Sequence, residues 1–182
     1  QIYEMNYTNY GKNGSTISDY VTTNNPMVVR YKQMSDNNPD IVVLEGGKND
    51  YNKNVPIGEN TDTSTKTFKG ALNVIIDGLR QKYPNAVLIC VTPWKVSGTN
   101  GIGKTVSSYS DAMLEICSLK NVPCFNAADP AVSGVDMTSS TFRAKYSMTA
   151  TDVSHLNLDG HKLVLPKFEK FIADTYAAAK AQ

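Results

Sequence analysis

Two unbroken apolar runs, each closed by a turn residue, limit the folds open to this chain more than any other feature. They are "DIVVLEGG" (Asp40–Gly47) and "NAVLICVTP" (Asn85–Pro93), and a shorter run, "VPCFNA" (Val122–Ala127), follows the same pattern. A strand with no alternating polar residue needs cover on both faces, as in a parallel sheet between helices. Between the first two runs, Phe68, Ala71, Leu72, Ile75, Ile76 and Leu79 recur at the spacing of one helix face, closed by Pro84. Val106, Tyr109, Met113 and Ile116 mark a second helix. A last helix is expected from about Asp159 to Ala179, with Leu163, Phe168, Ile172 and Tyr176 inward and Pro166 bending it or delaying its start. Strands alternating with helices predict an α/β protein, a three-layer α/β/α sandwich around a parallel sheet. With 182 residues, no internal repeat and no linker, residues 1–182 read as one domain.

The start of the chain departs from this scheme. A doubly wound sheet usually opens on a strong apolar strand, whereas the first 16 residues are polar and rich in Tyr and Asn, with a weak alternation at Tyr3, Met5 and Tyr7. The sequence reads as though it begins at its second strand.

Composition removes several functional classes. The 18 Lys+Arg nearly balance the 17 Asp+Glu, so no global field points to nucleic acid or an anionic membrane. The apolar runs are too short to span a bilayer. The opening "QIYEMNYTNY" has neither the basic nor the apolar region of a signal peptide. Three cysteines make no disulfide framework. Cys90 lies in an apolar run and is expected in the core; Cys117 and Cys124 are free buried thiols unless the fold brings them together as a pair.

In open α/β sheets, chemistry sits at the carboxyl ends of the strands. Three polar segments fall at such places: "NYGKNGSTISD" (Asn9–Asp19), "EGGKNDY" (Glu45–Tyr51) and "DVSHLNLDGH" (Asp152–His161), the last holding both histidines. Together they resemble the SGNH (GDSL-type) hydrolases, esterases and lipases on a flavodoxin-like sandwich. Gly47-Lys48-Asn49-Asp50 looks like that family's G-x-N-D block, and Asp152-Val153-Ser154-His155 like its D-x-x-H block, followed by Asn157 and Gly160. Asn9 to Thr16 is similar to its glycine block, with Gly14 at the oxyanion position.

The resemblance implies a serine esterase that removes acyl groups, acetyl above all, from a carbohydrate or small ester through an acyl-enzyme. His155 would be the base, since imidazole titrates near neutrality. Asp152 would hold its tautomer, and the Asn49 amide and Gly14 N–H would donate to the oxyanion. Asp50 is expected to hold its turn through nearby backbone. No cofactor is implied, and the family's habit points to a secreted or cell-surface protein. A metal site built from Asp152, His155, Asp159 and His161 lacks the compact spacing of a zinc helix. His161 reads as part of the last helix's first turn.

The nucleophile is the gap. The family carries it in a Gly-Asp-Ser turn on the first strand, and no such tripeptide occurs here. Either the nucleophile lies upstream of Gln1, on a truncated or cleaved segment, or it has been lost and the domain is a non-catalytic carbohydrate- or ligand-binding module. A missing strand would also leave a sheet edge for another segment or chain to fill. Ser15 and Ser154 lie nearest the expected site but belong to other blocks.

One further motif competes. "GTNGIGKT" (Gly98–Thr105) matches the phosphate-binding pattern G-x-x-x-x-G-K-[ST]. Its setting is wrong, because five residues separate it from the strand and the only apolar run ending in Asp, "VIID" (Val74–Asp77), lies inside the clearest helix. It reads as a surface loop whose Thr105 or a nearby Ser caps the next helix.

Overall fold

The computed structural model describes residues 6–22 and 25–181, so the weak alternation at Tyr3 and Met5 lies outside the described residues. Its strands are β1 (Ile41–Glu45), β2 (Val87–Val91) and β3 (Cys124–Phe125). The helices are α1 (Met27–Arg30), α2 (Lys48–Asn52), α3 (Phe68–Lys82), α4 (Val106–Leu119), α5 (Pro130–Ser133), α6 (Ser140–Tyr146) and α7 (Leu158–Lys180). The strands form one parallel sheet in the order β1-β2-β3, with Val42 opposite Leu88 and Cys90 opposite Cys124.

α3 forms where its spacing predicts. Thr67 caps it by accepting from Gly70 N–H, and all six apolar positions of the stripe are buried. Each larger one contributes about 1.5–3 kcal/mol relative to exposure. Together with Tyr109, Met113 and Ile116 of α4, this stripe packs on Val42, Leu44, Leu88 and Cys90, one face of the sheet. The opposite face carries Val91 and Phe125, which pack with Val164, Phe168 and Phe171 of α7. Phe125 meets Phe168 and Phe171 edge-on at 5.2 and 5.4 Å between ring centres. All three cysteines are free; Cys90 and Cys117 are buried and Cys124 is half-buried.

Two expectations need correcting. α7 starts at Leu158, so Pro166 does not delay it, and its buried positions are Gly160 and Val164. Leu163, Phe168, Ile172 and Tyr176 are only half-buried. Full cover on both faces holds for β2, where every residue is buried, but not for β1. Val42 and Leu44 are buried while Val43 is 44% exposed. The aromatic contacts to Phe125 draw α7 over β2 and β3, which leaves one face of β1 bare among the described residues.

The start of α7 is fixed tightly. Asn157 caps it by accepting from Gly160 N–H, and the Asn157 amide donates to the carbonyls of Lys145 and Ser147. Gly160 packs so closely on α6 that a Cβ there would collide with the Tyr146 carbonyl and with Leu156. Gly160→Ala is therefore expected to destabilise the protein by about 1–3 kcal/mol, the usual cost of overpacking a tight site. Urea unfolding measures this, and an unchanged midpoint would refute the close packing.

Candidate active site

The segment before α7 builds a preorganised carboxylate–imidazole pair. His155 Nδ1 lies 3.0 Å from Asp152 Oδ2. The other carboxylate oxygen, Oδ1, accepts from the N–H groups of Ser154 at 2.7 Å and His155 at 3.0 Å. Burial pushes the Asp152 carboxyl up, but those N–H groups and the imidazole together hold it below its usual value. Asp152 thus stays ionised and favours the tautomer with a proton on Nδ1, leaving Nε2 able to accept one. The loop is pinned on its far side by Met148 N–H donating to the His155 carbonyl and Asn157 N–H to that of Tyr146. The imidazole itself is 69% exposed.

The G-x-N-D segment forms the turn from β1 into α2. Gly47 precedes the helix at φ 107°, a conformation that only glycine adopts without strain, and a Cβ there would press on Phe68 and Pro93. Asn49 donates to the carbonyl of Ser15, 34 positions earlier, at 3.0 Å. Ser15 directly follows Gly14, whose φ is 71°. The Asn49 and Gly14 segments, distant in sequence, are thereby neighbours in space.

Asp50 does more than expected. Besides bonding its own backbone N–H, it reaches across to the glycine block, accepting from the N–H groups of Ile17 at 2.8 Å and Ser18 at 3.0 Å. It is fully buried, and burial pushes its carboxyl up to about 6, against the pull of those N–H groups and the Ser18 hydroxyl. The spacing of the blocks carries no signal of this link, since the partners come from the far end of another segment.

A small cleft of about 90 Å³ separates the blocks, lined by Glu45, Gly46, Lys48, Pro93, Trp94, Val153 and Ser154. It lies at the carboxyl ends of β1 and β2, where open α/β sheets place their ligands. Trp94 is half-buried in its wall, behind Pro93, whose carbonyl accepts from Ser110. Lys48 bonds Asn52 at 2.8 Å and sits 4.9 Å from the Tyr51 ring centre. Desolvation lowers the Lys48 pKa, while the Asp152 carboxylate opposes that shift from across the cleft.

Neither nearby serine is set up as a nucleophile. The Ser15 hydroxyl is buried under the Arg30 guanidinium, and Ser154 enters the pair through its backbone N–H. Among the described residues, no three His, Cys, Asp or Glu side chains converge on a point fit for a metal ion, and no helix is long and apolar enough to cross a membrane.

The Gly98–Thr105 loop cannot cradle a phosphate in the P-loop manner. Its inner N–H groups are spent inside the protein: Gly101 donates to Asn54 Oδ1, Ile102 and Lys104 to Asn100 Oδ1, and Gly103 to the Asn100 carbonyl. Thr105 caps α4 in a reciprocal capping box with Ser108, as the sequence suggested.

Solved structures share this fold. A protein from Lactobacillus plantarum is 26% identical with a TM-score of 0.78, over 88% of this chain and 77% of that one. The fold also matches an acetyl-xylooligosaccharide esterase from Geobacillus at 17% identity and TM-score 0.53, over 87% of this chain and 68% of the other. An acetyl xylan esterase matches at 20% identity and TM-score 0.56, over 86% and 76%. No curated protein matches the chain. The GDSL-like Lipase/Acylhydrolase family matches residues 2–163, which takes in the glycine turn, the Asn49–Asp50 helix and the Asp152–His155 pair. With that match over most of its length, and with the segments before the Asn49–Asp50 helix and around the Asp152–His155 pair flanking one cleft at the carboxyl edge of a parallel sheet, the chain belongs to the GDSL-like lipase/acylhydrolase family.

Proposed function

We propose that this domain is a serine esterase that removes acetyl or other small acyl groups from a carbohydrate or small ester. The observation that carries the reading is the Asp152–His155 pair, oriented by three hydrogen bonds beside a cleft. His155 takes the proton of a serine as it attacks the ester carbonyl, and the tetrahedral intermediate collapses to an acyl-enzyme as His155 gives that proton to the departing alcohol oxygen. His155 then activates water to release the acid. Asn49 and the Gly14 N–H serve the oxyanion, a role their adjacency supports. The acetyl preference rests on the esterase neighbours.

The serine comes from outside residues 1–182 in this reading. It rides on a strand, upstream or on a separate chain, that pairs with β1, the edge of the sheet among the described residues. A second reading, a binding module that has lost its nucleophile, is favoured by the absence of a Gly-Asp-Ser turn from the sequence. One experiment separates them. The full encoded protein is treated with a fluorophosphonate and assayed on p-nitrophenyl acetate. Labelling of one serine with loss of hydrolysis is the expected result. Neither labelling nor hydrolysis, with acetylated oligosaccharide still bound, establishes the binding module instead.

A further inference from the structure

The loop that imitates a phosphate-binding motif leaves a question open, since a glycine-rich surface loop has no evident need for such dense internal bonding. Asn100 is its centre. The carboxamide nitrogen donates to the Tyr51 carbonyl at 3.0 Å and to the Tyr109 hydroxyl at 3.2 Å. Its oxygen accepts from Ile102 N–H at 3.2 Å and Lys104 N–H at 2.9 Å. Two donors and two acceptors are the full inventory of a carboxamide, and all four are used. The two loop N–H groups also fix which way the amide points, since a flipped amide would face them with its own N–H groups.

These bonds lead to α2. Tyr51 lies in the five-residue helix that carries Asn49 and Asp50. Tyr109, fully buried in α4, passes the link on by donating to the Val55 carbonyl at 2.6 Å, and its ring meets Tyr51 and Phe68 edge-on. A second bond runs from Gly101 N–H to Asn54 Oδ1 at 2.7 Å. A helix of this length has little stability of its own and takes its position from what holds its ends. Asp50 and Asn49 hold the first turn to residues 15–18, while the loop holds the carbonyl end.

We propose that Asn100 is a positioning residue for the oxyanion side of the site: through Tyr51, Tyr109 and Val55 it braces α2 and so fixes the direction of the Asn49 amide. This rests on the esterase reading for its kinetic consequence, but the brace itself is a statement about α2 alone. Asn100 touches no reacting atom.

Asn100→Asp separates the brace from the loop's own fold. Aspartate still accepts from Ile102 and Lys104, so the loop stays closed, but it cannot donate to the Tyr51 carbonyl. In the full encoded protein, kcat on p-nitrophenyl acetate is expected to fall about tenfold with KM within about twofold, part of the 10²–10³ loss typical when an oxyanion donor is removed. On an Asn49→Ala background the same change is expected to add less than twofold, because the group it positions is gone. Ile102→Ala, at the exposed loop tip, serves as the silent control. Independently of activity, amide exchange at Tyr51, Lys53, Asn54 and Val55, all hydrogen-bonded within or after α2, is expected to quicken at least about tenfold in Asn100→Asp while α3 stays protected. Losses that multiply with Asn49→Ala, or unchanged exchange at those four amides, overturn the proposal. If the intact protein hydrolyses no ester, the esterase reading falls and the exchange result alone decides the brace.

Discussion

Replacing His155 with alanine is expected to lower ester hydrolysis by the intact protein on the order of 10⁶-fold, and Asp152→Asn about 10⁴-fold, the losses typical of removing the base or its orienting acid. The second figure follows from local geometry. In the Asp152→Asn variant the carboxamide oxygen would still accept from the N–H groups of Ser154 and His155, so the loop keeps its shape. The amide nitrogen would then face His155 Nδ1, where the carboxylate oxygen now sits at 3.0 Å, and would force that nitrogen to accept. The imidazole proton moves to Nε2, the position that has to take the serine proton, and the base is disabled without being displaced. Because the His155 side chain is 69% exposed, His155→Ala should not move the thermal midpoint by more than about 2 °C. The check is kcat/KM on p-nitrophenyl acetate beside a melting curve. Retention of more than a tenth of wild-type activity in His155→Ala, with the fold intact, would remove His155 from the mechanism.

How much of this was legible in the sequence follows from what is local. The α3 stripe and the Thr105 cap are written within a few residues, and each lies where its pattern placed it. The Asp152–His155 pair is local as well, and its spacing of three residues allowed the contact to be foreseen. What depends on distant partners was hidden. Val43 belongs to an unbroken apolar run, yet among the described residues its face lies bare because two phenylalanines far along the chain draw α7 toward β3. Asp50 looked like the anchor of its own turn alone, while two further donors lie 32 and 33 positions earlier. Asn100 sat inside a pattern that suggested phosphate binding, and only tertiary structure shows its neighbours to be Tyr51 and Tyr109. Short motifs report the chemistry a segment can do; they are silent on which segment braces which.

Asp50 yields the largest expected effect on stability. Asp50→Ala leaves the N–H groups of Ile17 and Ser18, both in fully buried residues, without an acceptor. At about 1–3 kcal/mol for each stranded donor, the loss is roughly 2–6 kcal/mol. For a chain of this size that lowers the melting midpoint by roughly 10 °C. The same residue sets a pH dependence with a definite sign. Burial raises its carboxyl pKa to about 6 in the folded protein, above the ordinary value it regains on unfolding. The folded state therefore holds this proton more tightly, so the stability it contributes is complete below about pH 4 and is lost as pH rises through about 6. The shift corresponds to about 3 kcal/mol. Asp50→Asn cannot titrate, and its single carbonyl oxygen satisfies only one of the two donors at a cost of about 1–3 kcal/mol, so that variant is expected to be less stable at acid pH and to make up most or all of that deficit near neutrality. The gap between wild type and variant should narrow from about pH 4 to about 6.5 and then stay constant, as read by urea unfolding at a series of pH values. Parallel curves across that range would show that Asp50 stays ionised in the fold. The ionised form costs the fold stability near neutrality, yet it makes the stronger charge-assisted bonds to Ile17 and Ser18. In the proposed enzyme that exchange holds the Gly14 turn against Asn49, so Asp50→Asn should also lower kcat at about pH 7.5, where the wild-type carboxylate is ionised.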